Sequence, residues 1–587
     1  MRTTTMLLIL TLVVACRSTP VRPNTPSGGA VEAVAHDYWE EDLRHDPLWA
    51  SAVGDHRYDD RLPDLAPAEH ERHLAALRAL AARAQGIETS ELDGESATTV
   101  RVLLTSIATQ VATEVCHREL WSIDQLGGPQ EALGEMSTDN PARAQSDVDH
   151  LAARYRTSGN LIDAHIANLR AGLSLGLVAA RINVERVVKQ LDGLVATPAE
   201  QSTFVDQALP AAWTSEQKKA ARETLAAAVR ETVLPTLTRY RDFLTTDLLP
   251  RARAQPGVAG LANGTACYQA LIVYHTGSTL TPEQIHALGL EELGSIEKEM
   301  ATLAHAAGGP DDIRSFAHAL AARTDQYVKS ESALLEANRA LLARAQARLP
   351  RVFGRLPKRP IEVKAIESFR AGDAPAAYYY GAPDDGSRPA YYYVNTLHYE
   401  RRPLFNAAAL AFHESVPGHH LQIAIAQDLA LPDFRRQEGQ TAFVEGWALY
   451  AERLADDLGL YQTPAERFGM LNFQAWRACR LVVDTGLHAL GWSREETVTF
   501  LRMHTALPDQ EIQNEVDRYI ADPAQALAYK LGQREILRLR AEAKGALGDR
   551  FDLRAFHDRL LEHGAVPMQV ATKTMETWIA AEAAIAR

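Results

Sequence analysis

The chain has 587 residues, a formal net charge of −14 at pH 7 and 46% hydrophobic residues. A chain of this length can bury a large core and can form more than one domain. The acidic balance argues against a nucleic-acid-binding protein, because neutralising phosphates requires a basic face. The charge does not select among other classes of partner, and the sequence leaves the oligomeric state open.

The first residues are typical of a bacterial lipoprotein signal. The apolar run MLLILTLVVA follows Arg2 and is too short to span a bilayer. It ends in VVAC, which resembles the lipobox in which the cysteine is lipidated and becomes the mature N-terminus. Residues 1–15 are therefore predicted to be a signal peptide, and Cys16 the lipidated residue. An ordinary signal peptide is the alternative.

Residues 16–30 are rich in Pro, Ser, Thr and Gly and are predicted to form a flexible tether. Arg17, rather than Asp, follows the lipidated cysteine, which by analogy favours the outer membrane. We therefore expect a lipid-anchored protein of the bacterial cell envelope that faces the periplasm. No later segment is apolar enough to span a membrane.

Three cysteines remain after Cys16: Cys116, Cys267 and Cys479. They form no CxxC pair and no dense disulfide framework. An oxidising periplasm would permit one disulfide, but the sequence selects no pair.

Apolar residues recur at three- and four-residue intervals from Val31 onward, which predicts helices. The stretch ARAQPGVAGLANGT, near residues 251–265, is the best candidate for a seam. It separates a predicted N-terminal helical half (31–255) from a C-terminal half (256–587). Beyond it, Thr281 and Pro282 are typical of a helix N-cap and first turn.

Strand signals are few and lie close together. IEVKAI (361–366) alternates apolar and polar side chains, and AAYYYGAP and AYYYVNT flank the turn-forming residues 384–387. The sequence therefore predicts a mainly α protein with a small β-hairpin or sheet just before its most chemical segment.

That segment, residues 406–430, is alanine- and leucine-rich and is predicted to be one helix. His413-Glu414 begins like the H-E-x-x-H motif of zinc peptidases. In that motif two histidines one turn apart hold Zn²⁺ and the glutamate activates a water molecule. The second histidine position is Pro417 in this chain, so the strict motif fails.

Two later histidines compete for the second ligand position. On an unbroken helix His420 lies about 20° from the face of His413, whereas His419 lies roughly 240° away. Pro417 cannot donate to the carbonyl of His413, and Gly418 permits unusual backbone angles. A widening at Pro-Gly would bring His419 beside His413, so the residues alone leave both open.

A third ligand is expected from a later helix, where Glu438, Glu445 and Glu452 are spaced by seven residues and share a face. Glu445 lies between apolar residues in FVEGWALY, where an unpaired carboxylate is costly. The neighbouring Gly446 would allow close helix approach.

The string HExxPGH resembles the signature of a large bacterial family known as domain of unknown function 885, grouped with gluzincin-type metallopeptidases and often lipidated. The similarity extends over nearly the whole mature chain. It includes GDHRYDDRLPD, IDQLGGPQ, LTPEQIHALGLEE, DDGSRPAYYYVNT, EGWALYAE, RLVVDTGLH and DPAQALAYKLG.

The resemblance implies a helical, zincin-like (gluzincin) fold and one Zn²⁺ per chain. It favours His419 over His420 as second ligand, beside His413, and points to Glu445 as third. Glu414 would be the general base. Tyr529 and His488 are candidate donors to the oxyanion, because similar zinc peptidases use Tyr or His from late helices.

One expected feature is missing from the pattern. Gluzincins often carry an acid four residues after the third ligand that orients a ligand histidine, but Leu449 occupies that position. Asp484 is the candidate replacement.

For substrate binding we expect the strand 391–395, with Tyr393 and Asn395, to pair with an extended peptide. Arg518 and Lys530 are candidates for a substrate carboxylate. The expected function is zinc-dependent hydrolysis of short peptides, in oligopeptidase or carboxypeptidase manner, by a periplasmic lipoprotein. The alternative is a catalytically degenerate lipoprotein of the same fold that acts as a binding or assembly factor.

Overall fold

The computed structural model describes residues 26–139, 141–310, 312–366, 371–372 and 374–585. The predicted signal peptide and the lipidation site at Cys16 lie outside the described residues. The first helix begins at Pro26. This helix overlaps the last five positions of the predicted tether, whose extent stays a prediction.

Helices dominate the described residues. In the N-terminal part they are α1 (Pro26–His45), α2 (Pro47–Val53), α3 (Pro67–Gln85), α4 (Gly94–Ala112), α5 (Pro129–Asp139), α6 (Gln145–Leu175), α7 (Arg181–Ala196), α8 (Ser215–Ala228) and α9 (Leu234–Phe243). They continue with α10 (Gly264–Thr276), α11 (Pro282–Ala306), α12 (Ile313–Ala321), α13 (Glu331–Gln346), α14 (Leu404–Glu414), α15 (His419–Gln427) and α16 (Asp433–Gln437). The last helices are α17 (Thr441–Asp457), α18 (Pro464–His488), α19 (Arg494–His504), α20 (Asp509–Ala521), α21 (Ala528–Leu547), α22 (Leu553–Leu561) and α23 (Met568–Ala584).

A three-stranded sheet precedes α14, as the sequence predicted. It consists of β1 (Ile361–Ala365), β2 (Ala377–Tyr380) and β3 (Ala390–Val394), in the order β1-β3-β2. β2 and β3 form the predicted hairpin with antiparallel register, and β1 pairs with β3 in parallel. β3 is therefore the central strand.

Two large apolar cores hold the helices together. Helices α5–α9 enclose one core, built from residues between Ile123 and Ala252. The larger core combines α1–α4 with most of the chain after α10. The first helices thus pack with the C-terminal half, and the predicted division near residue 255 stays a prediction about domains.

Cys116 and Cys267 form a disulfide that links the segment after α4 to α10, and Cys479 is buried as a free thiol. The sequence had left this pairing open. The capping prediction at Thr281 is confirmed, because its side chain accepts from the backbone N–H of Gln284. None of the helices in the described part of the chain is both long and apolar enough to cross a bilayer.

Close helix packing brings the chemical residues together. At Gly446 on α17 an added Cβ would lie 2.5 Å from the backbone of Gly532 on α21. The predicted role of Gly446 in close helix approach is therefore confirmed. At Gly469 on α18 an added Cβ would lie 1.8 Å from the carbonyl oxygen of Phe405 on α14. Helices α14, α17, α18 and α21 thus surround one small volume.

Candidate metal centre

The HExxPGH segment is two helices rather than one. α14 ends at Glu414, and α15 begins at His419 after a cis Val416–Pro417 peptide bond. Trp447 Nε1 donates to the carbonyl of Pro417 at 2.9 Å, which holds the connection against α17. The prediction of one helix over residues 406–430 was wrong because Pro417 cannot continue the hydrogen-bond ladder.

Gly418 allows the two helices to meet. A Cβ at this position would lie 1.9 Å from the carbonyl oxygen of His413 and 2.5 Å from that of Phe412. Only a residue without a side chain fits this close backbone approach. The turn consequently places His419 beside His413, with ring centroids 4.9 Å apart and planes at 85°.

The side chains of His413, His419 and Glu445 converge on one point. Each offers one ligand atom, and these atoms all lie within 4.8 Å of one another. Glu445 Oε2 is 3.5 Å from Nε2 of His413 and 3.5 Å from Nε2 of His419. The two imidazoles come from either side of the Pro-Gly turn, and the carboxylate comes from α17.

This donor set fits a zinc ion. Ligand atoms about 2.0–2.1 Å from a tetrahedral Zn²⁺ lie roughly 3.4 Å from one another, close to the two measured separations. Glu445 Oε2 is buried and has no hydrogen-bond partner among the described residues. A buried carboxylate oxygen without a donor is costly, and a cation would satisfy it.

The electrostatics of the cluster also favour a cation. Burial raises the pKa of Glu445, but His413 and His419 outweigh it and hold that pKa well below its usual range. Burial lowers the pKa of His413, whereas Glu445 and Glu452 raise it to about 9. The carboxylates therefore stabilise positive charge on the imidazole rings. A divalent cation bound between His413, His419 and Glu445 would supply that charge instead of protons on the rings.

Glu414 lies at the edge of the cluster. Its Oε2 is 4.0 Å from His419 Nε2, and the residue is buried. Burial raises the pKa of Glu414, although His413 and His419 oppose the shift. A carboxylate with a raised pKa next to the ligand atoms is suited to accept and return a proton near neutral pH.

Glu452 is the partner of His413 that the sequence did not identify. Its Oε1 lies 2.9 Å from His413 Nδ1, and its Oε2 accepts from Nε2 of Gln474 at 3.0 Å. Such a carboxylate fixes the tautomer and orientation of a ligand histidine. The heptad spacing from Glu445 is the available signal in the sequence, but it predicts a competing third ligand equally well.

The other candidate acids lie elsewhere. Asp484 accepts from the hydroxyl of Tyr268 at 2.5 Å and from the N–H of Ala524 at 3.1 Å, so its predicted contact with a ligand histidine was wrong. Glu438 Oε2 accepts from Tyr38 at 3.3 Å. It lines a separate pocket between α1, α4 and α16.

His420 points away from the cluster. Its Nδ1 lies 3.2 Å from the hydroxyl of Tyr379 on β2, and its Nε2 lies 3.1 Å from the carbonyl oxygen of Arg359. Burial lowers its pKa to about 4, so the ring is neutral. Both ring nitrogens are thus engaged, and the structure places His419, not this alternative, beside His413.

Of the two predicted oxyanion donors, only Tyr529 lies near the cluster. Its ring is nearly parallel to that of His413, with centroids 6.3 Å apart. Both ring nitrogens of His488 already bond to the backbone, so neither can donate to an oxyanion. Val258 N–H donates to Nδ1 at 3.2 Å, and Nε2 lies 2.9 Å from the carbonyl oxygen of Tyr519. The prediction for His488 was therefore wrong.

The predicted substrate strand was also wrong. β3 is paired on both sides, so residues 391–395 cannot add a peptide strand. Asn395 donates to the carbonyl of Ala371 and accepts from the N–H of Leu397, which closes a loop. Tyr393 packs with Tyr378 on the sheet face opposite Tyr392.

Arg518 and Lys530 are occupied as well. Arg518 donates to Glu515 and to Gln525, and Lys530 is 1% exposed and donates to Gln474 and Gln533. Burial lowers the pKa of Lys530 to about 7. Each nitrogen of the two side chains thus already bonds within the protein, and their predicted role in binding a substrate carboxylate stays a prediction.

The family model described as "Bacterial protein of unknown function (DUF885)" matches residues 47–575. The chain belongs to the DUF885 family. The resemblance noted from the motifs is thereby confirmed at the level of the family. No curated protein matches the chain.

Two solved structures resemble this DUF885 protein, and each is described as a "putative lipoprotein". One, from Colwellia psychrerythraea, is 27% identical, has a TM-score of 0.88, and is matched over 95% of this chain and 100% of its own. The other, from Shewanella oneidensis and of unknown function, is 19% identical with a TM-score of 0.69, over 94% of this chain and 100% of its own. The mainly helical fold of this DUF885 protein is shared with both.

Proposed function

We propose that this protein is a zinc-dependent peptidase of gluzincin type that hydrolyses short peptides. The observation that carries the proposal is the convergence of His413, His419 and Glu445 on one buried point, with Glu414 beside them. Two imidazoles, one carboxylate and an open fourth position are typical of catalytic zinc sites.

The residues around this point have complementary roles. A zinc ion held there supplies positive charge that polarises a peptide carbonyl and favours ionisation of water. Glu414 accepts the proton of the attacking water and returns it to the leaving amine. Glu452 holds the ring of His413 in the orientation that presents Nε2. Tyr529 is the remaining candidate to donate a hydrogen bond to the oxyanion.

An outer strand of the sheet lies beside the cluster. β2 is the outer strand in the order β1-β3-β2, and its Tyr379 ring lies 6.4 Å from that of His419. An extended peptide that added to this edge would run next to the cluster. β2 therefore takes the role that the sequence had assigned to β3.

The proposed location is the periplasmic face of the outer membrane, with the chain anchored through lipid on Cys16. The descriptions of the two similar structures support a lipoprotein. The choice of the outer membrane depends on Arg17 after the lipidated cysteine, by analogy.

Metal content and peptide cleavage test this proposal in one set of variants. We expect about one zinc per chain in the purified protein, loss of zinc in His413→Ala, and retention of zinc without cleavage in Glu414→Gln. Glu438→Gln is the matched control, because this partly buried glutamate lies in a different pocket. Cleavage is followed by mass spectrometry on a mixed peptide library.

Two outcomes would contradict the proposal. Absence of a stoichiometric divalent metal would exclude the metal centre. Zinc without cleavage in the wild-type protein would instead favour the degenerate lipoprotein that acts as a binding or assembly factor.

A further inference from the structure

Two arginines of α18, Arg477 and Arg480, lie deep in the protein behind the candidate metal centre. Each is 3% exposed. They are three residues apart and therefore share a helix face. Trp476 lies under both guanidinium groups, at 4.3 Å and 4.4 Å from its ring centroid. Two buried like charges at this spacing are unfavourable unless anions neutralise them.

The donors of Arg480 are only partly satisfied. Nε donates to the hydroxyl of Tyr519 at 2.9 Å, and Nη2 donates to Glu515 Oε2 at 2.9 Å. Nη1 is buried and has no acceptor among the described residues. Glu515 is also shared with Arg518, so one carboxylate serves two guanidinium groups.

Arg477 is less satisfied still. Its Nε and Nη1 are buried and find no acceptor in the part of the chain that the structure describes. Its nearest carboxylate is that of Glu452, 3.9 Å from Nη2 and already bonded to His413 and Gln474. Burial lowers the pKa of Arg477, although Glu452 opposes the shift.

Glu511 does not supply the missing anion. Burial and, to a smaller extent, repulsion from Glu515 raise the pKa of Glu511 to about 7. Arg402, Arg477 and Arg480 oppose this shift by favouring the charged form of Glu511. No hydrogen bond within the described residues joins it to either buried guanidinium. Three guanidinium nitrogens of the pair therefore lack an acceptor among the described residues: Nη1 of Arg480 and Nε and Nη1 of Arg477.

The ring of Tyr529 lies close both to these guanidinium groups and to the candidate metal centre. Cζ of Arg480 lies 4.2 Å from the centroid of this ring, and Cζ of Arg477 lies 6.0 Å from it. The His413 ring centroid lies 6.3 Å from the same Tyr529 centroid. An extended peptide advances about 3.3–3.6 Å per residue, so this gap corresponds to roughly three residues or fewer.

We propose that Arg477 and Arg480 bind the C-terminal carboxylate of a peptide whose scissile bond lies at the candidate metal centre. The guanidinium fork matches a carboxylate in geometry and charge. The protein would then remove a short piece from a free C-terminus, as a carboxypeptidase or dipeptidyl carboxypeptidase does. This inference rests on the proposed function and assigns to these arginines the role first expected of Arg518 and Lys530.

Binding to the Glu414→Gln protein tests the carboxylate site without turnover. The zinc-loaded variant is immobilised and exposed to a library of N-acetylated tripeptides, once as free acids and once as C-terminal amides. Retained peptides are quantified by mass spectrometry. We expect the acids to be retained roughly 10- to 100-fold better than the amides, in line with a charge-assisted hydrogen bond.

Second substitutions in the same background identify the groups responsible. Arg477→Met keeps the apolar stem and should abolish the preference for acids, whereas Arg477→Lys keeps charge without the fork and should preserve part of it. Arg344→Met is the matched control, because this guanidinium pairs with Glu466 in another part of the protein. Thermal melting verifies that each variant is folded.

The outcomes separate this inference from the proposed function. Equal retention of acids and amides, no retention of either library, or a preference unchanged in both Arg477 variants would overturn the carboxylate site. If the variant retains free acids selectively but the wild-type protein cleaves no peptide, the carboxylate site is supported and the proposed peptidase activity is refuted.

Discussion

Glu452 Oε1 lies 2.9 Å from Nδ1 of His413, on the side of the imidazole opposite the nitrogen that faces Glu445. The carboxylate is fully buried, and Gln474 holds its other oxygen. This contact fixes which ring nitrogen of His413 is presented to the centre, because a carboxylate accepts the N–H at Nδ1. The orientation of the candidate ligand His413 thus depends on a residue two helical turns beyond the candidate ligand Glu445.

Glu452→Gln should weaken zinc binding about 10- to 100-fold, because the neutral amide orients His413 less firmly and makes it a poorer ligand. Competition with a chelator of known affinity measures the change. Asp484→Asn is the matched control, since Asp484 contacts Tyr268 instead. Equal zinc affinity in wild type and Glu452→Gln would refute this role.

Substitution of the two neighbouring histidines should have opposite effects on metal content. His419→Asn removes a ligand atom and should abolish stoichiometric zinc. His420→Asn should retain zinc, because the ring of His420 bonds to Tyr379 and Arg359 instead. Elemental analysis after dialysis distinguishes the two variants, and the reverse pattern would restore His420 as the second ligand.

Gly418→Ala should disrupt both the fold of the turn and the centre. The added Cβ would meet the His413 carbonyl at 1.9 Å, so the two helices must separate. We expect a loss of about 2–4 kcal/mol in the free energy of unfolding, together with loss of zinc.

The control for this substitution is Gly193→Ala in the interior of α7. An added Cβ there meets nothing within 4 Å, so we expect a gain of roughly 0.5–1 kcal/mol. Denaturant unfolding measures both variants. Similar stabilities for the two alanine variants would contradict the close approach at Gly418.

Stability should fall as pH decreases below about 6.5, partly through His557. Burial lowers the pKa of this histidine to about 3, and its ring bonds to Val352 O and Tyr450 while neutral. The unfolded chain takes up a proton near pH 6.5 and the folded chain does not, so acid favours unfolding. The contribution of the neutral His557 ring to the free energy of unfolding is complete above pH 6.5 and is lost as the pH falls towards 3.

His557→Gln removes this contribution. Between pH 7.5 and 5.5 the free energy of unfolding should drop by about 1.4 kcal/mol less in the variant than in the wild type. Urea unfolding at the two pH values makes the comparison. An identical pH dependence in both proteins would show that His557 is not held neutral.

Local patterns in the sequence predicted the elements well. Alternation in IEVKAI and the turn residues between two tyrosine runs identified β1 and the β2–β3 hairpin, because strand periodicity and turn chemistry are local properties. Thr281 as N-cap followed from the same kind of information. The central position of β3 did not follow from local patterns, because its parallel partner β1 lies about 30 residues earlier in the chain.

The sequence by itself selected the candidate residues for the proposed chemistry, since His413, Glu414, Glu445 and the two histidines His419 and His420 stand in a pattern with few structural explanations. The tertiary structure decided everything that depends on distant segments. It broke the expected helix at Pro417, turned His420 aside, and placed Glu452 behind His413. Side chains far apart in sequence meet only where helices pack, and that packing depends on shape and volume that no local pattern contains.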